Sequence, residues 1–489
     1  MKISDKPFVE TYDKLFIGGK WVEASSGNFM NIINPATEEV WAQVTEGLEA
    51  DVDEAVKAAR TAFDHGPWRK MSTYERAEIL RKMAHLVQAN AERLAKIETL
   101  EMGKPYHLAL PEAKNHHQWW YYYAGIADKI HGETIPFEDN KHIFTIREPL
   151  GVIGAITAWN TPLTMTTMKL SMALATGNTV VLKPSESTPI TALEIAKLTE
   201  KAGFPPGVIN VVTGRGNNVG KRLASHMDVD KISFTGATNT GRKIVNYASS
   251  SNMKKVSLEL GGKSPQIIFP DANLNAALES AVSNAFLLTG QSCTLGSRLL
   301  VHRDIYDRFV SKYLEKVKLI TVGDPFTNVN LGPHAHEQQL NKTLEYIKIG
   351  QEEGATLAVG GGRPKDLQKG YYINPTVFVD VEPSMRIAKE EIFGPVVSII
   401  PFSSEEEAVE IANNVSYGLT SGVWTKDMTR AIRMAKEIRA GSVWLNTFRY
   451  VRWVTPYGGY KASGWGKENG VEAIKDFTQV KTVVMDLEN

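Results

Sequence analysis

From about Val52 to Met102 apolar residues recur at three- and four-residue spacing, through VDEAVKAARTAF and then ERAEILRKMAHLVQANAERLAKIETLEMG, which predicts helices with one buried face. Gly103-Lys104-Pro105 ends the second run. WWYYYAGIADKIHG predicts a third helix, and HIFTIREP a short strand. The aromatic cluster Trp119 to Tyr123 reads as core or subunit interface rather than as a cofactor box.

Between Gly151 and Leu260 the period changes. GVIGAIT, NTVVLKP, GVINVVTG and KISFTG are short β-branched runs ended by Gly or Pro, with the amphipathic TPITALEIAKLTEKAGF and VGKRLASHM between them. That alternation predicts a parallel, doubly wound sheet, which binds ligands beyond the carboxyl ends of its strands. A second α/β stretch runs from about Ser264 to Asn446, with PQIIF, RLLVH, YINPTVFVDV, VVSIIPF, GLTSGVWT and GSVWLN as strands. The tail KDFTQVKTVVMDL reads as a strand without a local partner, to be paired by another element or another subunit. There is no internal repeat and no low-complexity segment.

Composition narrows the function. At roughly 150 residues per domain, 489 residues make about three domains, enough to bury a large core. The 55 Lys+Arg balance 55 Asp+Glu, which argues against nucleic acid or an anionic membrane as partner. One cysteine excludes a disulfide scaffold and a thiol-rich zinc site. The opening MKISDKPFVETYDK mixes charges of both signs and lacks an apolar core, so no signal peptide is expected and the protein is expected in the cytoplasm. Two stretches carry no charge, Pro149 to Met168 and Ser280 to Ser297; their Asn, Gln, Ser and Thr content marks them as buried, polar-studded segments rather than membrane spans.

Several motifs fail on spacing. In LELGGKS, Ser257 takes the first glycine position of a phosphate-binding loop, and GRGNNVG, Gly214 to Gly220, is one residue too long for the dinucleotide fingerprint. No G-x-S-x-G or H-E-x-x-H occurs. His116-His117 and His334-x-His336 lack carboxylates or thiols at ligand spacing, so no metal is expected there and solvent-facing or interface positions are.

Cys293 lies in the second charge-free run, in LLTGQSCTLGS between Gly290 and Gly296. A lone cysteine is usually a small hydrophobe. Here its neighbours are small and polar, and the glycines would let the backbone approach a ligand closely. A nucleophile needs an oxyanion donor and a base. Asn160, in TAWNTPL, follows a strand and could aim its amide at an oxyanion; the alternative is an Asx-turn cap. Glu259 ends the strand KKVSLE in an apolar setting; the alternative is an ion pair with Lys254 or Lys255.

Taken in order, TAWNTPL, VLKPSE, FTGATNTG, LELGGKSP, GQSCTLGSR, EEIFGPV and PYGGYKASG closely resemble the aldehyde dehydrogenase superfamily, from Asn34-Pro35 to Lys481. The resemblance implies an α/β fold: a Rossmann-type parallel-sheet cofactor domain (residues 1–128 and 150–258), an α/β catalytic domain (259–446) and a small β oligomerisation element (129–149 and 470–489), assembled as a homodimer or homotetramer. It implies that Cys293 is the nucleophile, Glu259 the general base, and Asn160 with the Cys293 backbone N–H the oxyanion hole. Cofactor contacts would come from Ile156, Thr157, Trp159, Lys183, Ser185, Glu186, Gly216, Gly220, Phe234, Thr235, Gly236, Ala237, Thr240, Leu260, Gly261, Glu391 and Phe393. Lys183 and Glu186 would hold the adenosine ribose, Gly236 to Gly241 would turn against the pyrophosphate, and Glu391 with Phe393 would fix the nicotinamide end. A carboxylate at Glu186 suits ribose hydroxyls and repels a 2′-phosphate, which favours NAD over NADP.

The implied reaction converts an aldehyde and NAD to a carboxylic acid and NADH, through a thiohemiacetal and a thioester on Cys293. A free thiol is only about 3% thiolate at pH 7, so its site must help activate it. Two positions depart from the common pattern: Ala237, where serine is frequent, and Lys467, where arginine is, which removes a bidentate fork near the tail. The retained Glu259 argues against a coenzyme-A-acylating enzyme. The aldehyde tunnel would be lined by Asn115, Thr161, Met168, Leu287, Ser292, Thr294, Val451 and Tyr457, with Arg449 and Arg452 at its mouth as recognition groups for an anionic aldehyde such as a semialdehyde. The competing readings are a cofactor-independent cysteine esterase and a non-catalytic binding protein on the same scaffold.

Overall fold

In the computed structural model, residues 10–488 are described. The expectation for the opening segment rests largely on residues 1–9, outside the described residues. Two large, mostly parallel sheets form the fold. In the first, five parallel strands lie in the order Lys255–Glu259, Lys231–Thr235, Val152–Ile156, Thr179–Lys183, Ile209–Val211. Among these parallel strands the chain begins at Val152–Ile156, builds outward to Ile209–Val211, where the earlier strands Leu15–Ile17 and Lys20–Val22 extend the sheet antiparallel, then returns to the other side, so the topological switch lies between Val152–Ile156 and Lys231–Thr235. A crevice beyond the carboxyl ends at such a switch is where a doubly wound sheet holds a nucleotide. The strand Val152–Ile156 is buried throughout, as a sheet covered on both faces requires.

The second sheet runs Thr356–Val359, Thr376–Val379, Val396–Phe402, Arg298–His302, Pro265–Ile268, Thr420–Trp424, Ser442–Leu445, and all but the first strand are parallel. It has its own hydrophobic clusters around Phe378, Ile400 and Leu299. The N-terminal helices pack instead with the first sheet, through Leu80, Met83 and Trp120, in a cluster that also takes in Leu193 of the sheet's own helix Ile190–Ala202. The continuous helix expected through Met102 is two helices, Thr73–Ala89 and Ala91–Met102, because Asn90 leaves helical geometry and its side chain donates to the Leu86 carbonyl. Gly103 closes the second in a left-handed C-cap, φ 79°. The aromatic helix stops at Ile126, short of ADKIHG, and buries Trp119, Trp120 and Tyr123.

The tail strand Thr478–Asp486 has a partner in its own chain: it pairs antiparallel with Lys141–Pro149 from Thr478↔Pro149 to Asp486↔Lys141. Among the described residues no helix is long and apolar enough to cross a membrane.

Candidate active site

The strand Lys255–Glu259 delivers Glu259 to the carboxyl edge of the first sheet, where the chain turns through Gly261-Gly262 into the second. The ion-pair alternative fails: Lys254 donates to the Ala224 carbonyl and Ser251, and Lys255 to the Thr478 carbonyl. Glu259 is 5% exposed, and its Oε2 has no hydrogen-bond partner among the described residues. Burial, reinforced by Glu468, pushes its carboxyl well above the usual range. A carboxylate so placed is a stronger base than a surface one, and Gly458 leaves room for it, since a Cβ there would stand 2.8 Å from Oε1.

Asn160 follows Val152–Ile156 and is buried. Its amide donates one N–H to the Gln291 carbonyl at 2.9 Å, which ties the first sheet to the Cys293 loop. An amide carries two N–H groups, so one is left for an oxyanion. Gln291, fully buried, fixes that loop in turn: its Nε2 donates to the Leu288 carbonyl and its Oε1 accepts from the Ala335 N–H.

Cys293 itself stands at the amino edge of the second sheet, ahead of Arg298–His302. Three successive left-handed residues, Leu288, Thr289 and Gly290, bend the chain sharply before it. Side-chain-bearing residues there are strained, and such strain gathers at functional sites. The flanking glycines serve a different purpose from the one expected. A Cβ at Gly290 would collide with the Gly394-Pro395 backbone, and one at Gly296 with the Gln266 side chain, so they admit neighbouring protein segments rather than a ligand. Packing pushes the Cys293 thiol up to about 11, and the Tyr457 hydroxyl, 3.3 Å from Sγ, pulls in the opposite direction.

Around Cys293 lie Ser292, Thr294, Arg449 and Tyr457. Ser292 Oγ and Thr294 Oγ1 are 3.0 Å apart, and Arg449 Nε donates to Thr294 Oγ1 at 3.4 Å. Leu287, Thr161 and Val451 are half-buried, and Met168 packs into the core beside Trp120. Asn115, expected in the tunnel lining, and Arg452, expected at its mouth, are held by local contacts. Asn115 is exposed and donates to Pro111 in its own helix, while Arg452 is exposed, with its guanidinium over Tyr450 and bonded to the Val451 carbonyl.

The cofactor residues gather at the carboxyl edge. Lys183 ends its strand with Nζ 3.3 Å from Glu186 Oε2, and Gly220 passes beside its stem. The rejected GRGNNVG segment forms a short π-helical turn, Gly216–Gly220, at this same place. Glu186, Arg215 and His336 line a cavity of about 510 Å³, and Ser185 is buried beneath them. Ala237, at the N-terminus of Thr238–Ser249, brings no side-chain hydroxyl; the Gly236 N–H donates to the Glu259 carbonyl. Ile156, Thr157, Phe234 and Leu260 are buried along the switch crevice, Thr235 ends the neighbouring strand, and Thr240 lies in the first turns of the helix after it. Glu391 reaches across to the Gly262 N–H at 2.9 Å, a contact that Gly261 permits because a Cβ there would strike the carboxylate. Phe393 stands edge-on to Trp159, and Trp159 to His336. An ion-accepting strand end, a vicinal-diol acceptor at Glu186 and an aromatic slot fit a nicotinamide dinucleotide.

The histidines are not solvent-facing. His116, His117 and His334 are buried: His116 Nε2 meets Thr164 Oγ1 at 2.8 Å, His117 Nδ1 meets the Lys114 carbonyl at 2.7 Å, and His334 has no ring partner among the described residues. The sequence reading missed three contributors. Gln339 donates to the Ile392 and Phe393 carbonyls, holding the turn that carries Glu391. Lys169 and Glu468 form a buried pair at 2.6 Å behind Glu259. Lys169 had a signal, as the lone charge in the helix PLTMTTMKLSMALA; Gln339 had none. Lys467, the arginine replacement, still anchors its segment, through Nζ to the Gly458 carbonyl and its N–H to Asp476.

A chain with a thiol, a buried carboxylate and an amide donor beside a nucleotide crevice has counterparts among known proteins. The model of the Aldehyde dehydrogenase family matches residues 21–483. Aldehyde dehydrogenase family 2 member B4, mitochondrial, of Arabidopsis thaliana is 48% identical over 98% of this chain and 89% of its own. Aldehyde dehydrogenase, cytosolic 1, of Mus musculus is 47% identical over 97% and 95%. The NAD+ complex structure of aldehyde dehydrogenase from Bacillus cereus superposes with a TM-score of 0.96 at 44% identity, covering 99% of both chains. With the family model spanning nearly its whole length and relatives this similar from end to end, the chain belongs to the aldehyde dehydrogenase family.

Proposed function

We propose that this chain oxidises an aldehyde to its carboxylic acid with NAD, and that its preferred substrate is anionic, of the semialdehyde class. Cys293 Sγ adds to the aldehyde carbon while Asn160 and the Cys293 N–H receive the oxyanion. Glu186 and Glu391 would hold NAD, which would supply the acceptor for the hydride that the tetrahedral carbon must give up to become a thioester. Glu259 then takes a proton from water, which attacks the thioester carbon and releases the acid and the thiolate. Glu186 supports NAD over NADP, since its carboxylate would lie against a 2′-phosphate.

The observation that carries the anionic substrate is Arg449. Its backbone is left-handed, φ 58°, and its guanidinium meets Thr294, the residue after the nucleophile. Burial pushes Glu112 up, but Lys104 and Arg449 outweigh it and hold it below the usual range. Lys104, fully buried, pairs directly with Glu112, while Arg449 acts on that carboxylate without a direct pair and would have guanidinium donors for a substrate carboxylate. Arg449→Ala should lower kcat/KM for a semialdehyde about a hundredfold and for a neutral aldehyde of equal length less than about threefold, the loss expected for a charge-assisted contact. Arg452→Ala should change neither. Equal losses for both substrates would refute the anionic reading.

The exposed Val480, Val484 and Met485 on the edge strand, with Leu487 just after it, support a homodimer or homotetramer. A single cysteine that must stay reduced to act suits the cytoplasm.

A further inference from the structure

We infer that the Tyr457 hydroxyl is the hydrogen-bond donor to the Cys293 thiolate, a catalytic residue distinct from the oxyanion donors. This deepens the reading of Cys293 as nucleophile and rests on it. Asn160 and the backbone N–H serve the substrate oxygen; neither addresses the charge on sulfur. Tyr457 Oη is 3.3 Å from Sγ and is the side-chain hydrogen-bond partner of that sulfur among the described residues.

The ring cannot drift. It is 8% exposed, and Tyr457 exchanges both backbone hydrogen bonds with Glu468, each 2.7 Å. The next residue, Gly458, has φ 153° and lies against the Glu259 carboxylate, so one short segment borders both the sulfur and that carboxylate. Burial, with Cys293 and Glu259 nearby, holds the phenol well above its usual range, so it stays protonated and donates. The other charged groups facing Cys293 are Glu391 and Glu259, which disfavour the thiolate, and Arg449, which favours it.

The hydroxyl acts twice. Before addition it stabilises the thiolate that forms the C–S bond as the carbonyl π pair moves to oxygen. In hydrolysis the C–S bond breaks and its electron pair returns to sulfur, where the same O–H meets the leaving thiolate. The phenolic proton stays on Tyr457 throughout, so the residue is neither the acid nor the base.

Tyr457→Phe removes the oxygen and keeps the ring. Between about pH 7 and 9.5 its rate of Cys293 alkylation by iodoacetamide, without substrate, should fall ten- to hundredfold at every pH, as an ion-assisted hydrogen bond predicts. With a neutral aldehyde kcat should fall by a similar factor and KM little, which a purely structural role in shaping the tunnel would not produce. Replacement by 3-fluorotyrosine, a stronger donor, keeps the fold and should raise the alkylation rate. If alkylation is unchanged in both variants, the inference is overturned. Failure of wild type to reduce NAD with any aldehyde, while alkylation still responds, would overturn the dehydrogenase reading instead.

Discussion

The carboxyl edge of the nucleotide sheet and the amino edge of the catalytic sheet face each other across the site, and they hold their groups in opposite ways. On the first, Ile156, Lys183, Thr235 and Glu259 are each the last residue of a strand, so register alone sets where they emerge. On the second, Cys293 precedes its strand and owes its place to a left-handed run and to contacts with Gly394 and Pro395. Glu259, the proposed base, is positioned by regular structure, and Cys293, the proposed nucleophile, by strain that the surrounding packing maintains. Changes at the first edge should therefore remove chemistry and leave the fold, whereas changes at the second should disturb both.

Glu259→Gln carries the largest effect and tests the first half of that contrast. The isosteric amide keeps the strand end and its backbone pairing with Thr235 but cannot accept a proton. Steady-state turnover should drop about a thousandfold, within the range for loss of a general base, while stopped-flow absorbance still records one rapid equivalent of NADH per site. Burial raises this carboxyl, so in wild type the hydrolytic rate should climb with pH as Glu259 loses its proton. In the variant that climb should vanish. A variant that lost the rapid equivalent as well would place Glu259 in the addition step.

A matched pair of glycines tests the other half. Gly216, at the cofactor edge, has open space around a would-be Cβ and ordinary φ; Gly290, at φ 72°, has the Gly394-Pro395 backbone against it. Gly290→Ala should cost about 3 kcal/mol, from left-handed strain plus overpacking, and reduce activity with it. Gly216→Ala should leave the denaturation midpoint unchanged. If the two alanine variants melt alike, the loop is not held by that contact. This asymmetry also explains what could be read in advance. Lys183 and Glu259 were legible because β-branched runs announce strands, and a doubly wound sheet exposes the residues at their ends. Asn160 and Cys293 were legible as residue types and through the resemblance, but the bend at Leu288 was not, since neither leucine nor threonine signals positive φ. The antiparallel pairing of the tail with Lys141–Pro149 spans more than three hundred residues, and no local pattern encodes such a partner.

The smallest effect concerns satisfaction of buried polar groups, where the two regions also differ. In the nucleotide half Asn178 is fully buried with its amide complete: Oδ1 accepts from the Gly151 N–H, and Nδ2 donates to Thr176 and to the Phe477 carbonyl. Behind the nucleophile loop, His334 is equally buried, next to the Ala335 N–H that holds Gln291, yet neither ring nitrogen has a partner among the described residues. Burial pushes that imidazole down to about 3 from its usual 6.5. The native state thus binds fewer protons than the unfolded chain between those values, so the group's contribution is fully present above about pH 6.5 and is lost as pH falls toward 3. His334→Leu removes the unmet nitrogens at similar volume and should stabilise by about 1 kcal/mol at neutral pH. The gain should widen on acidification, because leucine has no proton to exclude. Thermal midpoints of both proteins from about pH 7.5 to 5 read this directly. A gap that stays constant with pH would mean that His334 is already satisfied in solution, and that the nucleophile side is as completely hydrogen-bonded as the nucleotide side.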